Sequence, residues 1–252
     1  DTLDQWLEWQ TVLHDKAIDL GLDRVHEVAG RLGIDKIAGR VITVAGTNGT
    51  GSTVAAYETW LHQAGYSVAS YTSPHLLVYN ERIRHNLKLA TDDELCAAFG
   101  AVEDARADTA LTYFEYGTLA ALYFMQQRLP DYAILEVGLG GRLDAVNIID
   151  AELVHLTPIG LDHQSYLGDD RESIGFEKAG VLREGVAVVL NDAQPPQSVL
   201  AEIDRLECKC LQLGRDYQLT LQQDDQFLWY SDEGGYRLDN VLRGAHQAQS
   251  LS

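Results

Sequence analysis

Five short runs of apolar, often β-branched residues constrain the fold of this 252-residue chain more than any other feature. Each run is nearly continuous in apolar residues, which is typical of strands buried on both faces of a sheet. The runs are Val41–Ala45, Ser67–Tyr71, Tyr132–Val137, Leu153–Thr157 and Val186–Leu190. We therefore expect a sheet whose two faces are both covered by other elements.

Segments with helical character lie between these runs. Gly65 and Pro130 follow two of them as stop signals, and a proline stands in the first turn of another. The segments are Thr53–Ala64, Glu115–Leu129, Arg171–Leu182 and Pro195–Leu206. This alternation predicts an α/β fold built on a doubly wound, mostly parallel sheet.

The pattern changes after Gly214. The stretch "YQLTLQQDDQFLWYSDEGGYRLD" alternates apolar and polar residues, with turn signals at Asp224-Asp225 and at Gly234-Gly235. Such alternation is typical of antiparallel strands with one solvated face. We expect a small β subregion at 215–240, a meander of roughly three strands that packs on the edge of the main domain.

The composition narrows the class of protein. The formal net charge of -19 argues against a nucleic-acid or membrane-surface partner, because non-specific binding to either needs a basic face. It leaves an anionic small molecule open, since local donors or metal ions can reverse the field. No apolar run approaches the roughly 20 residues that span a bilayer, and the first residues lack the features of a signal peptide.

The cysteines indicate the redox compartment. Cys96, Cys208 and Cys210 are an odd and sparse set, which suits a reducing environment. Cys208 and Cys210 lack a second pair, so packing or surface thiols are favoured over a zinc site. We expect a cytoplasmic protein and a monomer.

A glycine-rich loop follows the first apolar run and opens a helical segment. Glycines allow a sharp turn and bring backbone N–H groups close to phosphate oxygens, and the helix start adds its dipole. The loop comprises Gly46, Thr47, Asn48, Gly49, Thr50, Gly51 and Ser52. Phosphate-binding loops normally place a lysine against the phosphates, and this one has Thr50. A tight strand-to-helix turn without a ligand is the alternative.

Polar side chains follow three other apolar runs. Glu136 ends a run at the strand end that faces the ligand crevice of open α/β sheets; it suits Mg²⁺ if a phosphate lies opposite, or else a salt bridge to Arg142. His163 follows another run, where a single histidine serves as either a ligand or a structural residue. Ser73 could ligate Mg²⁺ and the nearby arginines could hold anions, or this region is a solvated surface loop.

Eight motifs together resemble the bifunctional dihydrofolate synthase/folylpolyglutamate synthase family of the Mur ligase superfamily. They stand in the family's order and spacing and cover nearly the whole chain. They read "HDKAIDLGLDRV", "VITVAGTNGTGS", "YTSPHL", "ERIR", "LTYFEYGTLAAL", "ILEVGLGGRLDAVN", "LDHQSYLGDDRESIGFEKAG" and "GAHQAQ".

The resemblance implies an ATP-dependent ligase of folate biosynthesis. In the family, ATP phosphorylates a carboxylate, and the amine of L-glutamate attacks the acyl phosphate to form an amide. Dihydropteroate becomes dihydrofolate in this way, and folates gain further glutamates. The implied partners are therefore small molecules, and the implied cofactors are Mg²⁺ together with ATP as a substrate.

The resemblance also assigns roles to residues of this chain. The glycine loop would hold the ATP phosphates, Ser73 and Glu136 one Mg²⁺, and His163 a second. Lys178 matches the family lysine that carries a carboxyl group on its amine and helps place the second metal. The segments that match the family's pterin-binding residues are Asp19, Leu20, Gly21 and Leu22, then Thr112 and Phe114, then Leu143, Asp144 and Ala145.

Two departures from the family pattern bear on activity. Lysine stands in the family where this chain has Thr50, and asparagine where it has Ser250. Family members also carry a C-terminal ligase domain, which we expect to be absent from this chain. Residues 1–252 would then be the N-terminal ATP-binding domain, with a helical segment at 1–40.

Two other functions stay open. One is a catalytically silent pterin- or nucleotide-binding module derived from the same family, which Thr50 and Ser250 motivate. The other is a Mur-type ligase for a non-folate acid, against which the pterin-segment matches count.

Overall fold

A computed structural model describes residues 1–16, 18–221, 226–232 and 234–239 of the chain. The described strands form a large, mostly parallel sheet of eight strands and a separate antiparallel sheet of three. Helices alternate with most of the parallel strands, so the predicted α/β fold class is confirmed. No described helix is both long and apolar enough to cross a membrane.

The helices and strands are numbered here in chain order. The α-helices are α1 (Leu3–Gln10), α2 (Asp23–Leu32), α3 (Thr50–Gln63), α4 (Asp92–Arg106), α5 (Tyr113–Gln126), α6 (Gln164–Leu167), α7 (Arg171–Ala179) and α8 (Gln197–Arg205), with short 3-10 helices at Tyr79–Arg82 and Ala145–Ile148. The strands are β1 (Arg40–Ala45), β2 (Val68–Tyr71), β3 (Ile83–His85), β4 (Lys88–Leu89), β5 (Tyr132–Glu136), β6 (Leu153–Leu156), β7 (Ala187–Leu190), β8 (Lys209–Gln212), β9 (Tyr217–Leu221), β10 (Gln226–Ser231) and β11 (Gly234–Asp239).

The chain divides into two compact units. Unit one comprises Asp1–Val41, Glu58–Gly138 and Leu143–Asp150, and unit two comprises Ile42–Tyr57, Leu139–Arg142 and Ala151–Ser252.

Unit one contains four strands in the order β4-β3-β2-β5. Strands β2 and β5 run parallel, with Ser70 opposite Ile134, whereas β2, β3 and β4 are antiparallel neighbours. Helix α5 is buried along most of its length, and Leu119, Leu122 and Met125 are fully enclosed. Burying each such side chain contributes about 2 kcal/mol, so α5 is central to the core of this unit.

Unit two contains the parallel order β1-β6-β7-β8, apart from the first residues of β1. In one register, Ile42 of β1 lies opposite Leu153 of β6, and Leu153 opposite Ala187 of β7. The predicted meander is also confirmed, because β9, β10 and β11 pair antiparallel in chain order. The turn signal at Asp224-Asp225 lies outside the described residues.

Several elements lie outside the predicted alternation. Strands β3 and β4 extend unit one by antiparallel pairing, and β8 adds an edge strand to unit two. Helix α4 begins with a capping box, in which Thr91 and Glu94 satisfy each other's backbone N–H groups. That Thr-x-x-Glu spacing is a helix-start signal that the sequence carries openly.

Candidate functional site

The glycine loop of unit two connects the end of β1 at Ala45 to the start of α3 at Thr50. A Cβ atom on Gly46 would stand 1.7 Å from Oγ1 of Thr157, so only glycine fits there without a shift of the chain. Gly49 has a φ of 84°, a left-handed conformation that glycine adopts without strain. The first and second glycines of the loop are therefore both required by its shape.

Thr47 anchors this loop to the segment that follows β6. Its N–H donates to the carbonyl of Pro158 at 3.1 Å. Its hydroxyl accepts from the N–H of Gly160 at 3.0 Å and lies 3.2 Å from the Gly160 carbonyl, to which it can donate. Neutral hydrogen bonds thus tie Thr47 to one short segment, residues 158–160.

Helix α3 brings its N-terminus to the end of the glycine loop. It is 14 residues long, and its first residue is Thr50. The dipole at such an end favours an anion. At Thr50 the chain offers a hydroxyl, so this position adds no positive charge to that field.

A lysine does reach the loop, although from a distant part of the sequence. Lys178 on α7 is buried, and its Nζ donates to the carbonyl of Gly46 at 2.6 Å. Gly141 permits the close approach of its own loop to α7, because a Cβ there would lie 2.8 Å from the carbonyl of Glu177. The adjacent Arg142 donates to the Glu177 carboxylate at 2.8 Å. Lys178 therefore contacts the first glycine of the loop.

His163 follows β6 in unit two and has an unusual backbone. Its φ is 50°, which is left-handed and uncommon for a non-glycine residue. The side chain is half exposed, with Nε2 3.6 Å from Oδ2 of Asp162. Left-handed non-glycine residues concentrate at functional sites, and the role of His163 as a metal ligand stays a prediction.

Asp192 and Arg171 also hold the segment of residues 158–160 that follows β6. The sequence analysis did not single out either residue. Oδ2 of Asp192 accepts from the N–H of Ile159 at 3.2 Å and from Nη2 of Arg171 at 2.9 Å. Nε of Arg171 donates to the Ile159 carbonyl at 2.8 Å. Asp192 stands two residues past the end of β7. Ligands of parallel sheets bind at these carboxyl ends of the strands.

Glu136 and Ser73 come together in unit one. Glu136 is the last residue of β5 and is buried, and Oε2 accepts the backbone N–H of Ser73 at 2.9 Å. A buried carboxylate is costly unless hydrogen bonds or cations stabilise it. The predicted pair of metal-binding residues is therefore brought together through a direct contact.

Two charged side chains of the loop after Ser73, Glu81 and Arg82, are hydrogen-bonded within the loop, unlike the charges of a solvated surface loop. Glu81 accepts the backbone N–H groups of Leu76, Leu77 and Val78 at 2.8 Å each, and these bonds hold the pKa of the Glu81 carboxyl below its ordinary value. Arg82 is buried, and its Nε donates to His75 at 2.9 Å. Both side chains therefore serve the shape of the loop.

The three predicted pterin-binding segments all lie in unit one, each at or just before the start of a helix. Asp19 to Leu22 lead into α2, Thr112 and Phe114 open α5, and Leu143 to Ala145 open the 3-10 helix Ala145–Ile148. These three helices pack against one another. The structure thus groups the elements that carry the segments.

Two of these residues also cap helices. The hydroxyl of Thr112 accepts the N–H of Glu115 at 3.2 Å, and the carboxylate of Glu115 accepts the N–H of Thr112 at 2.8 Å. Oδ1 of Asp144 accepts the N–H of Val146 at 3.0 Å. Both caps are buried, so each fixes the start of its helix.

Phe114 lies against a glycine and a tyrosine. A Cβ on Gly138 would stand 2.4 Å from Cζ of Phe114, so the ring packs directly on that backbone. The ring of Tyr71 lies 6.1 Å away, centroid to centroid, at a tilt of 32°. Burial raises the pKa of Tyr71 to about 12, so its hydroxyl stays neutral at physiological pH.

Arg24 joins two of the pterin segments, and the sequence analysis missed it. Nη1 donates to the Asp19 carboxylate at 2.7 Å, and Nη2 donates to the Asp19 carbonyl at 2.7 Å and to Oε1 of Glu115 at 2.9 Å. A hydrogen bond from Lys16 holds the pKa of Asp19 below its ordinary value, with Arg24 adding to the effect. No local signal marks this pairing, because Glu115 is 91 residues away.

No group of three or more His, Cys, Asp or Glu side chains is placed to hold a metal ion in the described part of the chain. The predicted ligands also include Ser73 and Lys178, which are outside those four residue types. The ligand set therefore stays a prediction. Ser250 and the motif "GAHQAQ" lie outside the described residues.

Comparison with known proteins gives consistent relatives. No protein-family model matches the chain. A curated dihydrofolate synthase/folylpolyglutamate synthase from Escherichia coli strain K12 is 50% identical over 240 residues, covering 95% of this chain and 56% of that protein.

Solved structures similar to this chain come from the same kind of protein as the curated relative. A structure of E. coli FolC in complex with DHPP and ADP has a TM-score of 0.95 and 42% identity, covering 100% of this chain and 61% of that one. A bifunctional folylpolyglutamate synthase/dihydrofolate synthase with Mn, AMPPNP and L-glutamate bound has a TM-score of 0.88 and 41% identity, covering 100% and 61%. The chain therefore spans little more than half the length of these relatives.

Proposed function

We propose, on the premise that this chain belongs to the dihydrofolate synthase/folylpolyglutamate synthase family, that it forms the ATP-binding part of a folate-pathway ligase. The whole enzyme would add L-glutamate to dihydropteroate and to folates through an acyl phosphate. A monomeric, cytoplasmic protein remains our expectation from sequence.

One observation carries the proposal. The chain matches E. coli FolC in complex with DHPP and ADP over its full length, with a TM-score of 0.95. Its own glycine loop supports the proposal, because Gly46 fits only without a side chain and Gly49 is left-handed, which suits a backbone that approaches a phosphate closely. The loop also leads directly into the 14-residue helix α3, whose N-terminal dipole favours an anion.

The residues of each unit would have different parts in the reaction. In unit two, the N–H groups of the loop and of the first turn of α3 would bind the ATP phosphates, and Thr47 would keep the loop in place through its bonds to Gly160. In unit one, the pterin segments would orient the acid substrate.

The side chains present fit a magnesium ion in chemical type. Glu136 supplies a buried carboxylate whose orientation is fixed by the Ser73 N–H, and carboxylate and hydroxyl oxygens are the ligands that Mg²⁺ accepts. Lys178 as an ammonium would repel a cation. As a carbamate it would carry a negative charge, and its remaining N–H could still donate to Gly46. Bound Mg²⁺ would neutralise charge on the transferring phosphoryl group.

Thr50 sets the expected strength of nucleotide binding. A lysine at this position would add a charge-assisted hydrogen bond, which contributes about 1.5–3 kcal/mol. We therefore expect Thr50→Lys to tighten Mg²⁺-ATP binding by roughly 10- to 100-fold. Thr50→Met is the matched control, since it adds length without charge. Calorimetry on the three proteins measures the difference, and equal affinities for the Lys and Met variants would contradict a phosphate at this position.

Activity provides the second test. The Thr50→Lys chain, fused to the remaining part of the E. coli relative, should release ADP and form dihydrofolate from Mg²⁺-ATP, dihydropteroate and glutamate. Absence of both products from a folded fusion would overturn the proposed function.

A catalytically silent binding module is the second candidate, and Thr50 is the observation that favours it. Such a module would bind dihydropteroate or nucleotide in calorimetry, yet a fusion that keeps Thr50 would form no product. Rapid turnover by a fusion that keeps Thr50 would exclude it.

A further inference from the structure

Among the described residues, Arg24 is the only one whose side chain donates hydrogen bonds to both Asp19 and Glu115. It reaches Asp19 at both the carboxylate and the main-chain carbonyl, each at 2.7 Å. It therefore fixes the backbone of the 19–22 segment as well as its side chain. A planar guanidinium is suited to this, since its donors form a rigid fork.

The other end of this bridge is buried. The Glu115 side chain is 5% exposed, and it accepts from Nη2 of Arg24 at 2.9 Å and from Nε at 3.4 Å. The same carboxylate accepts the N–H of Thr112. Glu115 thus connects Arg24 to the capping box that sets the first turn of α5, where Phe114 lies.

We propose that Arg24 is a positioning residue, which holds the Asp19–Leu22 segment and the first turn of α5 in the arrangement that binds the pterin ring. The proposal rests on the proposed function, because it takes those segments as the pterin site. Arg24 acts through Asp19 and Glu115 and is not itself assigned a contact with the substrate.

A purely structural role makes a different prediction. If Arg24 only compensates the buried charge of Glu115, then removing both charges should restore the protein completely. If it positions Asp19, removing both charges should restore stability but leave the 19–22 segment unattached. Gln at 115 keeps an amide oxygen that can accept the Thr112 N–H, so the capping box survives in that variant.

The experiment compares Arg24→Gln, the double variant Arg24→Gln with Glu115→Gln, and Arg24→Lys in the full chain. Dihydropteroate affinity and Mg²⁺-ATP affinity are measured by calorimetry, and thermal unfolding is followed for each. Arg31→Gln is the matched control, since Arg31 is also on α2 and also bridges two parts of unit one, from Glu27 to the Arg106 carbonyl and the Thr109 hydroxyl, without contacting the pterin segments.

We expect Arg24→Gln to weaken dihydropteroate binding at least tenfold, with nucleotide affinity changed less than twofold. The double variant should regain the thermal midpoint but not the dihydropteroate affinity. Arg24→Lys should fall between, because an ammonium cannot bridge both acceptors equally. Arg31→Gln should leave both affinities unchanged.

Each contrary result has its own meaning. Unchanged dihydropteroate affinity in Arg24→Gln, or full recovery of affinity in the double variant, would overturn the positioning role alone. Failure of the unmodified chain to bind dihydropteroate would overturn the proposed function, and the positioning role with it.

Discussion

The glycine loop of unit two and the pterin segments of unit one are stabilised by different means. The loop is held mainly by close packing of Gly46 against Thr157 and by neutral hydrogen bonds between Thr47 and Gly160, and Lys178 adds one charge-assisted bond to the Gly46 carbonyl. The pterin segments are held by charges, with Arg24 between two carboxylates. Stability and ligand binding should therefore be most sensitive to added volume in the glycine loop and to lost charge in the pterin segments.

The difference follows from what each region is proposed to bind. A phosphate-binding loop must bring its backbone close to the ligand, which favours glycine and a tight fit over long charged side chains. A pterin site needs two chain segments from distant parts of the sequence in register. A charged fork with several donors can tie both segments at once.

Gly46→Ala should produce the largest effect. The new methyl group would meet Oγ1 of Thr157 at 1.7 Å and its Cβ at 2.9 Å, so the strands or the loop must shift. Overpacking of this kind costs about 3 kcal/mol, and nucleotide binding should be lost. Chemical denaturation and calorimetry measure the two effects.

Gly160→Ala is the matched control for that substitution. Its methyl group would stand 3.5 Å from Cγ2 of Thr47, an ordinary contact. If both variants bound nucleotide equally well, the loop would not depend on packing, and the proposed contrast between the regions would fail.

Sequence reasoning anticipated the features that local pattern encodes. The apolar runs locate β1, β2, β5, β6 and β7 to within one or two residues, because burial on both faces leaves a direct compositional trace. The glycine loop was equally visible. Strands β3, β4 and β8 are short and partly exposed, so their sequences carry little such trace.

The supporting residues of the candidate site were beyond this reasoning for another reason. Arg24 and Glu115 are 91 residues apart, and Asp192 and Ile159 are 33 apart. Such pairs depend on how the chain folds back, which no window of sequence reports. The motif resemblance supplied roles for Glu136, Lys178 and His163, but not for the residues that position their segments.

Acidification should lower the free energy of unfolding through His155, which lies beside the glycine-loop helix α3. This residue of β6 is buried and lies 3.1 Å from the hydroxyl of Tyr57 on α3, and burial lowers its pKa from 6.5 to about 4. Below pH 6.5 the unfolded chain binds the proton and the folded chain does not, so stability falls until about pH 4. The loss at pH 5 should be about 2 kcal/mol.

Denaturant midpoints between pH 7.5 and pH 5 measure this loss, and His155→Asn should reduce the slope. Asn keeps a hydrogen-bonding group for Tyr57 and removes the titration. An identical slope in the variant would show that other groups dominate the acid response.

Asp192→Asn should have the smallest effect on stability. It tests whether nucleotide binding in unit two depends on the Asp192–Arg171 ion pair. Asp192 accepts from Ile159, Arg171 and Gln194, so an amide must turn its NH2 toward one of these donors. Because Arg171 is well exposed to water, we expect a cost of only about 1 kcal/mol in denaturation. Mg²⁺-ATP affinity should change less than it does in Gly46→Ala. A loss of nucleotide binding as large as that of Gly46→Ala would instead mean that an ion pair, and not packing, governs the loop.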